Sequence, residues 1–205
     1  MEKSNTREEI LEAALDYFSV NGYEATSISQ LADAVGIRKA SLYSHFASKQ
    51  EILDTVVETT LKGYADHSIF ANANWDDPDF TRDKLGMTEE DVVKHVQGQI
   101  RYILHDPRVS RGRKMLMIEQ FRNKELSVLQ TKQNYTDVLH YFEGMLKFLI
   151  REGRLKNMDS EIMAAQFSSP ITVWINLCDR EPEREDEVME LVRKHIIQFF
   201  EIYQK

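Results

Sequence analysis

Apolar residues recur at helical spacing through nearly the whole of this sequence, and little interrupts them. Only 4 Pro and 8 Gly punctuate 205 residues, and no alternating run bounded by turn residues announces a strand. An all-α chain is therefore expected. Ile10, Ala13, Ala14 and Phe18, with Leu11 and Leu15 beside them, form the stripe of a first helix that Asn21 and Gly22 can stop. Thr26 or Ser27 then caps a short helix over Ile28 to Val35, which Gly36 ends. Another short helix is predicted at about Lys39 to Phe46. Ser48 caps a fourth that carries Ile52, Leu53, Val56, Val57 and Leu61 on one side and runs to about Tyr64.

From Asn72 to Gly86 the pattern gives way to Asn, Asp, Pro and Gly, which reads as a long loop. Thr88 with Asp91 then fits a capping box, opening a helix through Val92, Val96, Ile100 and Ile103 that ends at Asp106-Pro107. Further helical stretches are expected at about Arg108 to Arg122 and from Tyr135 to Gly153, the latter with Val138, Leu139, Phe142, Met145, Leu146 and Leu149 on its stripe. Two more close the chain, Asp159 to about Cys178, which Pro170 should bend, and about Arg184 to Tyr203.

Composition narrows the function classes. The single cysteine, Cys178, excludes an intramolecular disulfide, and no apolar run follows a basic segment at the N-terminus, so a cytoplasmic protein is expected. The most apolar stretch, around Pro170 to Cys178, is too short and too interrupted by Thr172 and Asn176 to span a bilayer, which argues against a membrane partner. A net charge of -8 disfavours nucleic acid when taken for the whole chain. Its distribution does not. Between Ala25 and Gln50, Arg38, Lys39 and Lys49 meet a single acid, Asp33, and a locally basic face is what phosphate binding needs.

That basic stretch contains residues 27 to 46, SISQLADAVGIRKASLYSHF, two short helices joined by a turn at Gly36, as a helix-turn-helix requires. Ala32 is small where the helices cross, Gly36 can take the positive φ of the turn, and Ile28, Leu31, Val35, Ile37, Leu42 and Phe46 lock the pair. Arg38, Lys39, Ser41, Tyr43, Ser44 and His45 are left for an outward face, and all are donors suited to phosphates and base edges. No Gly-rich phosphate loop and no nucleophile signature is present. His95, His105 and His140 lack acidic or cysteine partners at metal-ligand spacing, so no metal or other cofactor is expected.

In this segment the sequence resembles the tetracycline-repressor (TetR) family. The likeness rests on Ile10, Ala13, Ala14, Phe18, Gly22, Tyr23, Thr26, the run Ile28 to Gly36, then Ser41-Leu42-Tyr43-Ser44-His45-Phe46 and Ser48-Lys49. It covers roughly the first quarter of the chain; Arg38 stands where the family often has a small polar residue. The resemblance implies a DNA-binding transcriptional repressor with a three-helix DNA-binding domain over 4–64 and a helical ligand-binding and dimerisation domain over 65–205. The helix from Lys39 would enter the major groove, with Arg38, Lys39 and Ser41 near base edges or phosphates. Thr26, Ser27, Tyr43, His45 and Lys49 would contact phosphates, and Ser44 would share the exposed face. Tyr43 as a packing residue, and His45 and Lys49 as ordinary solvated side chains, are the plainer readings.

The resemblance also implies a homodimer bound to near-palindromic double-stranded operator DNA and released by a small effector. Ala164, Ala165, Phe167, Ile171, Val173, Trp174, Ile175 and Leu177 point in too many directions for one wet face, consistent with a helix covered by its own domain and by a twin. Tyr102, Met115, Met117, Phe121, Phe142 and Trp174 are candidate walls for an apolar or aromatic effector, since Met and aromatic groups adapt to such ligands, and equally are candidates for plain core. The alternative is a helical, dimeric small-molecule-binding protein or enzyme whose first helices dock a protein partner. Salt-dependent DNA binding separates the two.

Overall fold

A computed structural model describes residues 6–67 and 73–205. Residues 4 and 5 of the expected DNA-binding domain, and Asn72 at the start of the expected loop, lie outside the described residues. Among those described the fold is all-α, with one isolated antiparallel bridge between Leu155 and Gln204. The helices are α1 (Thr6–Asn21), α2 (Ile28–Val35), α3 (Lys39–Leu42), α4 (Lys49–His67), α5 (Pro78–Arg82), α6 (Glu89–His105), α7 (Pro107–Glu119), α8 (Lys124–Thr131), α9 (Asp137–Arg151), α10 (Ser160–Arg180) and α11 (Glu185–Tyr203). None is long and apolar enough to cross a membrane.

Local chemistry sets most of these boundaries. Thr88 and Asp91 form the expected reciprocal box at the head of α6, with Thr88 N–H donating to Asp91 at 2.9 Å and Asp91 N–H to Thr88 Oγ1 at 3.2 Å. Glu89, Glu90 and Asp91 in its first turn and His105 in its last also suit the helix dipole. Asp106 caps α7 by accepting from the Arg108 and Val109 amides at 3.0 and 2.9 Å, while Pro107 takes the first-turn position where no N–H is needed. Helix α10 runs through Pro170 without interruption.

Two sequence expectations change. The stretch to Gly86 is not wholly loop, because Asp77 caps the short α5, its carboxylate accepting from the Asp79 amide at 2.9 Å, and Pro78 pre-sets the first turn. The Asp-Pro pair that reads as punctuation is also a helix start. The second helix of the motif is shorter than Lys39 to Phe46: beyond Leu42 the chain tightens into three-residue bonds, Ser44 N–H to Ser41 O at 3.1 Å and His45 N–H to Leu42 O at 3.0 Å.

The chain forms two compact units that do not follow one another in sequence. One joins Met1–His67 to Asp106–Gln130; the other joins Ser68–His105 to Thr131–Lys205. The first unit therefore includes α7 and most of α8, which a division into consecutive domains at residue 64 assigns elsewhere. Its core contains Ile10, Phe18, Leu31, Leu42, Phe46, Ile52, Met115 and Leu116. In the second unit α9 packs on α10, and α11 on α6 and α10, around Phe142, Leu146, Phe167, Val192, Ile196 and Phe199.

Candidate nucleic-acid interface

The first unit holds α2 and α3 at a fixed mutual angle and leaves one side of α3 open. Ser27 and Gln30 close α2 reciprocally: Gln30 N–H donates to Ser27 Oγ at 3.2 Å, and Ser27 N–H to Gln30 Oε1 at 2.7 Å. Gly36 ends the helix at φ 73°, a left-handed conformation that favours glycine, and the Ile37 amide closes the turn on the Ala32 carbonyl at 3.0 Å. Leu31, Ala32, Leu42 and Phe46 are buried between the helices. The Arg7 guanidinium covers the Phe46 ring 4.6 Å from its centroid.

What remains outside α3 is a row of donors. Arg38, Lys39, Ser41, Tyr43, Ser44 and His45 are all exposed. Ser44 Oγ donates to the Ser41 carbonyl at 2.6 Å, which fixes the hydroxyl. Arg38 occupies the cap position of α3 and its side chain makes no cap bond there, as expected of a group with no acceptor. Ser27 is exposed at the start of α2. Thr26 departs from its expected role: it is buried, its hydroxyl donates to the Gly22 carbonyl at 2.9 Å and its amide to the Tyr23 carbonyl at 3.2 Å, so neither donor is left for a phosphate.

Lys49 is more constrained than a surface lysine. Its ammonium lies 4.1 Å from the centroid of the Tyr23 ring and 3.5 Å from the Glu24 carbonyl oxygen. Burial first, and then the negative charges of Glu24, Asp54 and Glu119, push the Tyr23 phenol upward, so the ring beneath Lys49 stays neutral. The Tyr23 amide donates at 2.7 Å to Glu119 at the end of α7. Glu119 is buried, and this bond ties a residue of the middle of the chain to the turn before α2. Sequence reasoning missed it.

A second polar lock joins α7 to α1. Arg111 pairs with Glu12 at 2.9 Å and with Asp16, and Arg108 pairs with Glu12 at 2.9 Å. Burial pushes the Glu12 carboxyl up, but Arg111 and Arg108 outweigh it and hold the group below the usual carboxylate range.

The candidate effector residues divide between the two units. Met115, Met117 and Phe121 belong to the first unit, and Tyr102, Phe142 and Trp174 to the second. Met115 is core beneath the helix-turn-helix. Phe121 is 90% exposed. Phe142 packs on Tyr141 and Phe167, with ring centroids 5.1 and 4.8 Å apart, and Trp174 stands 5.6 Å from His195. Helical spacing places a residue on a stripe without saying which unit the stripe faces. Among the described residues no group of three or more His, Cys, Asp or Glu is placed to hold a metal ion.

Residues 10–56, the segment that builds this surface, match the model of the bacterial regulatory proteins of the tetR family. The chain is 26% identical over 170 residues to the nucleoid occlusion factor SlmA of Aliivibrio fischeri, an alignment covering 80% of this chain and 79% of that one. It is 41% identical over 64 residues to the HTH-type transcriptional repressor KstR2 of Rhodococcus jostii, covering 31% of this chain and 29% of the relative. Among solved structures, SmeT, the repressor of the Stenotrophomonas maltophilia multidrug efflux pump SmeDEF, shares the fold with a TM-score of 0.61 at 19% identity, over 99% of this chain and 92% of that one. The complex of SmeT with triclosan superposes with a TM-score of 0.63 at 20% identity, over 98% and 93%.

Proposed function

We propose, from the premise that this chain is a tetR-family regulator of bacterial type through residues 10–56, that it represses transcription by binding a near-palindromic operator as a homodimer and leaves it when a small apolar or aromatic molecule binds. One observation carries the reading: the matched segment folds into two helices locked at Gly36, with the donors Arg38, Lys39, Ser41, Tyr43, Ser44 and His45 all exposed. In this account Lys39, Ser41 and Arg38 meet base edges or flanking phosphates. Tyr43, Ser44, His45, Ser27 and Lys49 meet the backbone, positioning the reader without specifying sequence.

The dimer is proposed through α10 and α11. On α10, Ile162 and Val173 are 55% and 62% exposed and three helical turns apart on one stripe. Val173→Asp should therefore dissociate the protein at micromolar concentration without unfolding it. Phe199 is unsuitable for that test, because it is buried in its own unit against Phe167, ring centroids 5.0 Å apart.

Named relatives such as KstR2 are transcriptional repressors, and the triclosan complex of SmeT shows a small aromatic molecule bound to a protein of this fold. An effector in the second unit reaches the first through the chain links near Asp106 and Gln130, where the units exchange. Lowering operator affinity tenfold requires about 1.4 kcal/mol of coupling, and operator must weaken the effector by the same factor. The test is protection of the DNA upstream of its own gene by the purified protein. Protection of a two-fold site that weakens with salt supports the reading; no protection at any salt removes it.

SlmA, aligned across most of both chains, favours one second reading, a DNA-bound factor whose work is not at promoters. Mapping of bound sites in cells separates them: a few sites beside genes fit a repressor, many sites spread over the chromosome fit the other.

A further inference from the structure

The core of the second unit contains a cavity of about 10 Å3, room for roughly one water. Met87, Met145 and Phe148 supply apolar wall, and Trp75, Lys84 and Arg154 supply the polar side chains. Those three groups, an indole N–H, an ammonium and a guanidinium, donate and cannot accept. No carboxylate lines the cavity. Trp75 is 7% exposed, and its Nε1 has no acceptor among the described residues, an arrangement that buried donors rarely tolerate. Lys84 donates to the Phe80 carbonyl at 2.8 Å and sits 3.7 Å from the centroid of that ring. Arg154 pairs with no carboxylate among the described residues.

The place the indole fills is itself informative. A Cβ on Gly144 would lie 2.5 Å from Trp75 Cδ1, so the ring rests on bare helix backbone. Its other neighbours are rings: Phe80, Tyr141 and Phe148, with centroids 5.3, 5.5 and 5.9 Å away. Trp75 is carried by irregular backbone rather than a helix. Its carbonyl is held by Arg151 at 2.8 Å and the neighbouring Asp76 pairs with the same guanidinium at 2.7 Å. The backbone at Trp75 is thus anchored independently of the indole. Met87 and Met145 are the most adaptable wall residues a core offers.

We propose that this cavity is the closed form of a binding site for a planar apolar carboxylate, whose ring system displaces the Trp75 indole from its place on Gly144 and whose carboxylate meets Arg154, Lys84 and the N–H of the displaced indole. The site deepens the effector reading and rests on it only for the effect on DNA. An anionic head gives the indole N–H an acceptor and meets Arg154 and Lys84 through charge-assisted bonds, which a neutral head does not.

The experiment is calorimetric titration of the full chain with 2-naphthoate and with 2-naphthalenemethanol, which share the bicycle and differ in the head. The naphthoate should bind at least about tenfold more tightly, and Arg154→Gln should remove most of that preference while leaving the alcohol unchanged. Trp75→Phe, which keeps a ring and removes the donor, should weaken the naphthoate alone. Thermal unfolding of each variant confirms the fold. Equal affinity for the two probes, no saturable heat from the naphthoate, or indifference to Arg154→Gln overturns the site and leaves a cavity that holds a water. Operator affinity measured with and without naphthoate keeps the two readings apart. Naphthoate binding with unchanged operator affinity upholds the site and defeats induction through it, and salt-dependent DNA binding without naphthoate binding upholds the regulator and defeats the site.

Discussion

Both units are tied by polar bonds between distant segments, and they differ in how much of each core is built from rings. In the first, directional polar bonds cross between distant segments: Glu119 accepts from the Tyr23 amide, and Arg111 spans Glu12 and Asp16. The second has such bonds too, Arg151 to Asp76 and Gln97 to the Met189 carbonyl, and adds a run of packed rings from Trp75 through Tyr141 and Phe142 to Phe167 and Phe199. A hydrogen bond fixes an angle, whereas a ring contact is broad and tolerates sliding. On the function proposed above, the first unit would present a surface matched to duplex DNA and the second a core that repacks around a guest. The contrast teaches where rigidity is needed and where it would be a cost.

The largest effect expected from breaking this arrangement lies in the ring cluster. Phe167 is fully buried among Phe142, His195 and Phe199, and Phe167→Ala should cost about 3–5 kcal/mol, read by chemical denaturation. A smaller loss with unchanged cooperativity would mean that this core collapses around the gap, sharpening the claim of adaptability.

Next comes a steric test in the first unit. A Cβ on Gly112 would lie 2.2 Å from Thr60 Cγ2, and a β-branched neighbour yields poorly. Gly112→Ala should destabilise by about 1–3 kcal/mol, and Thr60→Ser, which deletes that methyl, should restore most of it. Absence of rescue would place the strain elsewhere. Glu119→Ala, which strips the Tyr23 amide of its acceptor, should cost a similar ~1–3 kcal/mol, with Glu119→Gln milder because a carbonyl oxygen remains.

The smallest expected effect is electrostatic. The Glu12 pKa is held below its ordinary 4.5 in the folded chain, so its pairing stabilises fully above that value and is lost as pH falls through the lower folded value. The half-exposed pair warrants about 0.2–1 kcal/mol. Wild type and Glu12→Gln should differ in stability at pH 6 and converge toward pH 3. A constant difference across that range would show that Glu12 contributes by packing rather than by charge.

How much was legible before the fold followed the range of the interaction concerned. Ser27, Gly36, Thr88 with Asp91, and Asp106-Pro107 act on their own neighbours, so their helices could be placed from the sequence. The Glu119 bond joins residues 96 apart, and no periodicity reports on it. Met115 was legible only as an effector wall or plain core, and its place in the core with the helix-turn-helix depended on the interleaving of the units. Trp75 was concealed by polar neighbours that read as loop, and its partners Tyr141 and Phe148 lie beside the stripe read from Val138 to Leu149 rather than on it. Thr26 matched the family motif, but whether its hydroxyl turns outward or back to Gly22 is decided by the turn.

The central claim is that the exposed row on α3 reads duplex DNA, and the salt dependence of binding tests it most directly. For the upstream duplex, log K against log salt should fall linearly for wild type. Lys39 is exposed on α3, and Lys39→Ala should make the slope shallower by about 0.9, one phosphate contact's worth of released counterions, or relax preference at one base pair if it reads a base edge instead. Binding that is strong, independent of salt, and unchanged in sequence preference by Lys39→Ala would contradict the account.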